Sequence, residues 1–323
     1  MLSLKRLWID RRVLILPLIA VSSLMSSCTR KDAGSSYVVG FSQMESNNPW
    51  RIAQTKSLRD EAAKRGISLV VTDAQGQTAK QVSDVEDLIA RRVSVILLAP
   101  REFEGLTPAL EAAKKANIPV ILVDREAAGT AGVDYVTFLG SNFVEQGRRA
   151  ADWLAKSTGG KAEIVELTLT PGSSVARDRA AGFKEEIAKY PDMHIIASQT
   201  GDASRAKGRA VMENLVQSLG KKITAIYAHN DEMALGAIQA LKDAGMKPGA
   251  GVTVVSVDGE RAALEAIQRG ELAVTVESNP RFGPLAFETI EKLRNKQPIP
   301  TKILLTDRLF DKTNAAQFVA DAY

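Results

Sequence analysis

Short runs of β-branched and apolar residues alternate along this chain with stretches that have helical spacing. The first runs are VVGFS (38–42), ISLVVTD (67–73), VSVILLAP (93–100) and IPVILVD (118–124). Between them apolar residues recur three and four positions apart, as at Val82, Val85, Leu88 and Ile89. Strands joined by crossover helices form parallel sheets. The pattern therefore predicts an α/β fold built on a doubly wound parallel sheet.

The alternation starts again after YVTFLGSN (135–142), and a second series of strand-like runs extends to residue 278. A chain of 323 residues is long enough for two domains. We predict two doubly wound lobes joined by a hinge, formed by residues 37–140 with 279–309 and by residues 141–278 with 310–323. Because no long Pro/Gly-rich linker separates them, short crossings are expected, one of them near 139–142.

The N-terminal segment has the composition of a secretory signal. Residues 1–12 carry four basic side chains against one acidic side chain, and the apolar run VLILPLIAVSSLM follows at 13–25. This run is shorter than the ~20 residues that a membrane-spanning helix needs. We predict a signal peptide over residues 1–27 and a polar tether, CTRKDAGSS, over residues 28–36.

Cys28 is the only cysteine in the chain, which excludes an intramolecular disulfide. Its place directly after the apolar run resembles the lipobox of bacterial lipoproteins, in which the cysteine is lipidated after cleavage. The alternative is an ordinary signal peptide that is cleaved nearby, with a cysteine that has no role. Either interpretation predicts the periplasm or the cell envelope as the location, with membrane contact only through a lipid anchor.

The net charge does not favour a nucleic-acid partner. The formal charge is +4 at pH 7, and residues 1–27 contribute three of these net positive charges. The chain without its predicted signal peptide is therefore close to neutral, and we expect no nucleic acid to bind it.

Polar side chains end or follow almost every predicted strand. They include Asp124, Arg125, Asn142, Asp202, Asn230, Asp258 and Glu277. In open α/β sheets, ligands bind beyond the carboxyl ends of the strands, so both lobes are expected to present these groups to one cleft. Taken singly, each Asp is explained as well by a role as helix cap or turn residue as by a contact with a ligand. Their recurrence in both lobes favours a binding site.

The kinds of side chain in this set indicate the kind of ligand. Asp, Asn, Glu and Arg together provide acceptors and planar donors, and a neutral ligand rich in hydroxyl groups needs both. Phe41 and Trp50 lie in the first strand–helix unit, where an aromatic face would cover the C–H side of a sugar.

Six segments, in this order, resemble the periplasmic sugar-binding proteins of ABC importers. They are NNPW, LVDRE, SVARDRAAGF, ASQTGD, YAHNDEMALGAI and SVDGE, and the resemblance extends from about residue 38 to about residue 310. The ribose- and galactofuranose-binding branch of type I binding proteins is the most similar. The resemblance implies a monomer that captures a monosaccharide by closing two lobes, performs no chemistry, and delivers the sugar to an ABC permease.

The resemblance also implies which residues contact the sugar. Carried over by motif, the contacts are Asn48, Trp50, Asp124, Arg125, Arg177, Asn230, Asp258 and Glu277. Arg51 stands where ribose binders have a second aromatic residue, as it does in the galactofuranose binder. The two remaining polar residues at strand ends, Asn142 and Asp202, complete the predicted site.

Two further positions depart from the ribose-binding pattern. Ala203 stands where the second lobe of the family usually provides an aromatic residue, and Ala99 stands where ribose binders have Asn. Together with Arg51, these departures argue against ribose. They make a furanose hexose, or another polyol with a bulky or charged group, more plausible.

Two other classes of protein, an enzyme and a transcription regulator, agree less well with the sequence than a binding protein does. A glycoside-acting enzyme could use Asp124, Asp258 and Glu277, but the sequence has no nucleophile elbow, Walker A loop or zinc-ligand spacing, and His194 and His229 fit structural roles. We therefore predict no catalytic residue, no metal and no cofactor. A sugar-responsive transcription regulator would need a helix-turn-helix before the first strand. A sensor that presents its sugar to a chemoreceptor or a sensor kinase stays open.

Overall fold

The computed structural model describes residues 37–323. The predicted signal peptide (1–27), the tether (28–36) and the lipidation site Cys28 lie outside the described residues. The strands are β1 (Val38–Gln43), β2 (Ser68–Asp73), β3 (Val95–Leu98), β4 (Val120–Val123), β5 (Thr137–Gly140), β6 (Lys161–Thr168), β7 (Asp192–Thr200), β8 (Ala225–Ala228), β9 (Thr253–Asp258), β10 (Val274–Glu277), β11 (Lys302–Leu304) and β12 (Leu309–Asp311). The α-helices are α1 (Pro49–Lys64), α2 (Thr78–Ala90), α3 (Thr107–Lys115), α4 (Phe143–Thr158), α5 (Ser174–Ile187), α6 (Arg205–Leu219), α7 (Asp231–Asp243), α8 (Arg261–Gln268), α9 (Gly283–Arg294) and α10 (Ala315–Phe318).

The strands form two six-stranded sheets, one in each lobe. Their orders are β11-β5-β4-β3-β1-β2 and β12-β10-β9-β8-β6-β7. Every pairing is parallel except that of β10 with β12. The predicted fold, two doubly wound parallel lobes, is confirmed.

The short central strands explain why sequence periodicity identified this fold. All four residues are buried in each of β3, β4, β5, β8 and β10. A parallel sheet that is covered by helices on both faces excludes water from both, so its strands are continuously apolar.

The chain passes between the two sheets three times. The crossings are residues 141–142, between β5 and α4, residues 278–282, between β10 and α9, and residues 305–308, between β11 and β12. Leu309, which is predicted to lie in the first lobe, begins β12 and pairs with Val276 of the second sheet. The last boundary between lobes therefore lies between Leu304 and Leu309.

Asp307, in the third crossing, accepts hydrogen bonds from residues in and next to the first crossing. Ser141 Oγ donates to its Oδ1 at 3.0 Å, and Gln146 Nε2 donates to its Oδ2 at 2.8 Å. The same Gln146 Nε2 donates to the carbonyl oxygen of Glu277 at 3.2 Å. Burial raises the pKa of Asp307 to about 6, although the two side-chain hydrogen bonds oppose this shift.

We expect Asp307→Asn to flatten the pH dependence of the free energy of unfolding. Because the folded-state pKa is raised, the folded protein binds this proton more tightly than the unfolded chain does. The stability from this group is therefore full below about pH 4 and is lost as the pH rises through about 6. Urea unfolding of the ligand-free protein measures this effect. Between pH 4 and pH 7 the free energy of unfolding of the wild type should fall by up to about 3 kcal/mol more than that of the variant.

The control for this experiment is Asp87→Asn, which changes an exposed carboxylate that is paired with Arg91 on α2. It should leave the difference between pH 4 and pH 7 unchanged, within about 0.5 kcal/mol. Parallel stability curves for the wild type and Asp307→Asn would contradict the role given to Asp307.

Candidate ligand-binding site

A cavity lies where the carboxyl ends of the two sheets face each other. It holds about 350 Å³ of empty space, part of which opens to solvent. Its lining residues are Asn48, Trp50, Arg51, Asp124, Arg125, Leu169, Val175, Arg179, Ala203, Asn230, Asp258 and Ser278. Both lobes contribute charged side chains, so the cavity is built for a polar ligand.

Asp124 holds two arginines on the first-lobe side. Its Oδ2 lies 2.7 Å from Arg51 Nη2 and 3.8 Å from Arg125 Nε, and all three side chains are buried. Arg125 Nη1 donates to the carbonyl oxygen of Arg101 at 2.9 Å. Burial, together with the nearby Arg51 charge, lowers the pKa of Arg125 to about 9, so the group stays cationic at neutral pH. Among the described residues Arg125 Nε has no hydrogen-bond acceptor, which leaves a donor for a ligand.

Asn48 and Trp50 come from the first turn of α1. Asn48 Oδ1 caps the helix by accepting from the Arg51 N–H at 2.9 Å. Trp50 Nε1 donates to the carbonyl oxygen of Ser278 in the second crossing at 2.7 Å. The Arg51 guanidinium lies 4.6 Å from the centre of the indole ring. The hydrogen bond and the cation–π contact hold the indole in place at the cavity wall.

Arg179 is the main cation on the second-lobe side. Its Nε donates to Gln146 Oε1 at 2.9 Å, its Nη1 donates to the carbonyl oxygen of His229, and its Nη2 lies 3.4 Å from Asp258 Oδ1. Burial raises the pKa of Asp258 well above its ordinary value, and the Arg179 charge only partly offsets this. The guanidinium is therefore fixed on three sides at the cavity.

Close packing of α4 against α5 brings Arg179 to this place. A Cβ atom at Gly182 would lie 1.9 Å from the carbonyl oxygen of Val144, and one at Gly147 would lie 2.1 Å from that of Arg179. Only glycine permits this approach, because any side chain would push the two helices apart. The sequence fixes the position of Arg179 through these two glycines as well as through its hydrogen bonds.

Asp231 is buried beneath the site and supports Asp258. Its Oδ2 accepts from the backbone N–H groups of Gly259 at 2.7 Å and Glu260 at 2.9 Å, and its Oδ1 accepts from the Ser256 and Thr275 hydroxyl groups. Burial raises the pKa of Asp231 to about 6, and these hydrogen bonds limit the shift. The two backbone bonds fix the turn that follows Asp258, and the two hydroxyl bonds connect Asp231 to β9 and β10.

The structure brings seven of the predicted site residues together at the cavity. They are Asn48, Trp50, Arg51, Asp124, Arg125, Asn230 and Asp258. Asn230 also caps α7 by accepting from the Met233 N–H at 3.0 Å. The helix-cap explanation and the binding-site explanation are therefore compatible for this side chain.

Arg177 lies elsewhere. Its side chain is 52% exposed, and its Nε bonds Asp178 at 2.7 Å. Two positions on a helix are separated by about 200° of rotation, so Arg177 and Arg179 face opposite sides of α5. Arg179 is the arginine of the VARDR motif that lines the cavity. The buried position of Arg179 could have been predicted from the sequence, because Arg179 shares one helix face with Val175, Gly182 and Phe183.

The other three predicted residues also lie outside the cavity lining. Asn142 is exposed and caps α4, accepting from the Glu145 N–H at 3.1 Å. Asp202 bonds Lys207 at 2.8 Å, and Glu277 bonds the Arg308 guanidinium at 2.6 Å. Each of these polar groups at a strand end is already used by a cap or an ion pair.

The lining also includes residues that the list of predicted contacts omits. Besides Arg179 they are Leu169, Val175, Ala203 and Ser278. Ala203, where the family usually has an aromatic residue, lines the cavity. Ala99 is fully buried and is not part of the lining. No sequence pattern distinguishes Leu169 or Val175 from ordinary core residues, because apolar contacts with a ligand use the same side chains as the core.

The chain belongs to the periplasmic binding protein family. The sequence model described as "Periplasmic binding protein domain" matches residues 39–297. The predicted family is thereby confirmed, and it is a family of binding proteins.

Relatives with named ligands are similar over most of the chain. The galactofuranose-binding protein YtfQ of Escherichia coli (strain K12) is 40% identical over 92% of this chain and 92% of its own length. The ribose import binding protein RbsB of Bacillus subtilis (strain 168) is 35% identical over 83% and 85% of the two chains. The solved binding protein of the arabinose ABC transporter from Shewanella sp. ANA-3, bound to α- and β-L-arabinofuranose, superposes with a TM-score of 0.85 at 40% identity, covering 88% of this chain and 95% of that one.

Two negative findings for residues 37–323 concern membranes and metals. None of the helices in this range is both long and apolar enough to span a membrane. Within the same range no group of three or more His, Cys, Asp or Glu side chains is placed to hold a metal ion.

We expect Asp231→Ala to destabilise the ligand-free protein by roughly 3 kcal/mol. The substitution leaves two backbone N–H groups and two hydroxyl groups buried without their acceptor, and each unsatisfied group carries a desolvation cost. Urea unfolding monitored by circular dichroism measures the change.

The matched control is Asp243→Ala, at the opposite end of the same helix, where the carboxylate is exposed. It should change the unfolding free energy by less than about 0.5 kcal/mol. Equal stability losses in the two variants would show that the Asp231 hydrogen bonds do not matter.

Proposed function

We propose that this protein is an extracytoplasmic solute-binding protein that captures a monosaccharide in its furanose form for import by an ABC transporter. The observation that carries the proposal is the cavity between the lobes, where buried donors and acceptors alternate beside an indole ring. Several independent features support each part of it.

The polar lining matches a neutral ligand rich in hydroxyl groups. Arg125, Arg179 and Asn48 offer N–H donors, while Asp124 and Asp258 offer carboxylate acceptors. A hydroxyl group both donates and accepts, so one polyol can satisfy both kinds of group. The face of Trp50 then covers an apolar C–H surface of the ring.

The furanose ring is favoured by Arg51 and Ala203. Arg51 is held by Asp124 at 2.7 Å and by Gln54 Oε1 at 3.1 Å, and it occupies the place of an aromatic residue in ribose binders. Ala203 leaves open the space that an aromatic residue of the second lobe would fill. The galactofuranose-binding relative and the arabinofuranose-bound structure are each 40% identical to this chain, and both are named for furanose sugars.

The mechanism we propose is binding without chemistry. The sugar enters between open lobes, which then close about the crossings 141–142, 278–282 and 305–308, and an ABC permease receives the ligand from the closed form. A sugar that lacks one hydroxyl leaves a buried protein group unpaired, so selection among sugars is strong. Transport is proposed over presentation to a chemoreceptor or a sensor kinase because relatives reported above are named for import. Lipidation at Cys28 stays part of the proposal, with the tether 28–36 joining the anchor to the first lobe.

A binding experiment with ¹³C-labelled sugars tests the ligand and its ring form together. Purified protein covering residues 29–323 is titrated into [1-¹³C]-L-arabinose and [1-¹³C]-D-galactose, which contain both ring forms at equilibrium. The anomeric signals of the furanose forms should broaden while those of the pyranose forms stay sharp. A thermal shift should accompany binding, and a sugar at 100 times its Kd stabilises the fold by about 2.7 kcal/mol.

The control sugars are D-ribose and myo-inositol, which should give smaller thermal shifts at equal concentration. Broadening of pyranose signals alone would contradict the furanose assignment. An absence of binding by every sugar would overturn the proposed function itself.

A pair of arginine variants tests which residues form the site. Arg179→Ala removes a buried charged donor and should weaken sugar binding by at least about 30-fold, since truncating one partner of a buried charge pair costs 2 kcal/mol or more. Arg177→Ala should weaken it by no more than about tenfold, because this side chain does not line the cavity. Isothermal titration calorimetry measures both affinities.

Asp258→Asn, which keeps the shape of the side chain, serves as a second variant in case Arg179→Ala lowers stability. It should also weaken binding more than Arg177→Ala does. A larger loss in Arg177→Ala than in Arg179→Ala would restore the assignment made from the motif alone.

A further inference from the structure

The loop that follows β3 contacts the second lobe outside the cavity. The backbone N–H of Phe103 donates to the carbonyl oxygen of Gly172 at 2.9 Å, and this bond joins the two lobes. Gly172 has φ of 78°, a conformation that favours glycine. The bond can exist only while the lobes are close together.

Three further contacts that involve side chains strengthen the same junction. The Arg177 guanidinium lies 4.9 Å from the centre of the Phe103 ring, and its Nη2 lies 3.7 Å from Glu126 Oε2. The backbone N–H of Glu126 donates to Ser174 Oγ at 2.9 Å. In each contact one partner belongs to the first lobe and the other to the second. We call these five residues, Phe103, Glu126, Gly172, Ser174 and Arg177, the clasp.

The clasp is close to the site but separate from it. None of its five residues lines the cavity, whereas Arg125 and Val175, which are adjacent in sequence to Glu126 and Ser174, do. Its contact between Phe103 and Gly172 also lies away from the crossings, because β3 is two strands from β5 and β6 is three strands from β10. Glu126 lies nearer to them, since it follows β4, which pairs with β5. A contact far from the hinge has a long lever arm and breaks early when the lobes separate.

We propose that Arg177 and Phe103, with the rest of the clasp, hold the lobes closed over the bound ligand and so set the rate at which the ligand leaves. The inference rests on the proposed function in that it takes lobe closure to accompany sugar binding. Ligand affinity depends on the fraction of protein in the closed form. Residues that stabilise only this form therefore raise affinity without contact to the sugar.

The alternative role for Arg177 is an ordinary surface ion pair. Its carboxylate neighbours are Asp178 on its own helix and Glu126 across the junction, and Glu126 also bonds Lys302 at 2.7 Å. A surface pair would add little to stability and nothing to ligand release. Dissociation kinetics therefore separate the two roles.

The main test compares Arg177→Ala, Phe103→Ala and the double variant by stopped-flow with L-arabinose as the probe. Each single variant should release the sugar about 3- to 10-fold faster, the range expected for losing one partly exposed cation–π contact. Because either single variant already removes the cation–π contact between the two side chains, the double variant should be only slightly faster than either single variant. Melting temperatures of the ligand-free proteins should change little, since Arg177 is half exposed.

The matched control is Arg209→Ala, whose side chain is 49% exposed and pairs with Glu213 within the second lobe. It should leave the dissociation rate unchanged. Dissociation rates of the clasp variants within twofold of wild type, or an equal effect in the control, would overturn the proposal.

A second measurement needs no sugar and keeps the two proposals apart. Glu126→Cys with Ser174→Cys places two thiols across the junction, where the 2.9 Å contact between N–H and Oγ keeps the Cα atoms within about 7 Å. Protein of residues 29–323 has no other cysteine. Phe103→Ala in this background should slow disulfide formation several-fold if the clasp favours closure, and an unchanged rate would contradict it. Slower formation in a protein that binds no sugar would leave the clasp standing and reject the proposed function.

Discussion

The structure depends on burying several charges in one cavity without cancelling them completely. A buried ion is costly unless it is paired, and both lobes pair theirs: Asp124 with Arg51, and Asp258 with Arg179. The pairing is incomplete, because Arg125 Nε has no acceptor among the described residues and the pKa of Asp258 is raised. These groups are desolvated and held in place, but some of their hydrogen-bonding capacity is unused. They can therefore bind a polar ligand more strongly than the same groups in water would.

Holding these groups in place requires backbone strain, and the protein provides the support for it. Asp124 has φ of 68°, Ala203 of 57° and Asp258 of 139°, values that L-residues adopt only at an energetic cost. All three line the cavity. The two backbone hydrogen bonds of Asp231 fix the turn after Asp258, and the Leu139 carbonyl accepts from the Asp124 N–H at 2.8 Å. Strain at the site is thus offset by ordinary hydrogen bonds just beneath it.

The sequence predicted the fold well and the site incompletely, for physical reasons. Apolar runs flanked by helical spacing report burial on both faces of a parallel sheet, so β3 and β4 were identifiable. The rule that ligands bind at strand ends correctly predicted that Asp124, Asn230 and Asp258 line the cavity. The same rule cannot tell a ligand contact from a cap or an ion pair, which is how Asn142 and Asp202 entered the list. The Arg177 assignment ignored helical phase, which places Arg179 on the buried face instead.

The location of Arg177 also suggests that different residues select the ligand and retain it. Residues that line the cavity determine which ligand fits, because their donors and acceptors are fixed before binding. No residue of the clasp lines the cavity, yet the clasp connects the same strand ends: Glu126 follows Arg125 directly, and Ser174 precedes Val175. A ligand bound against Arg125 therefore lies one residue away from the bond between Glu126 and Ser174. In this arrangement selectivity and retention come from adjacent residues and can change independently.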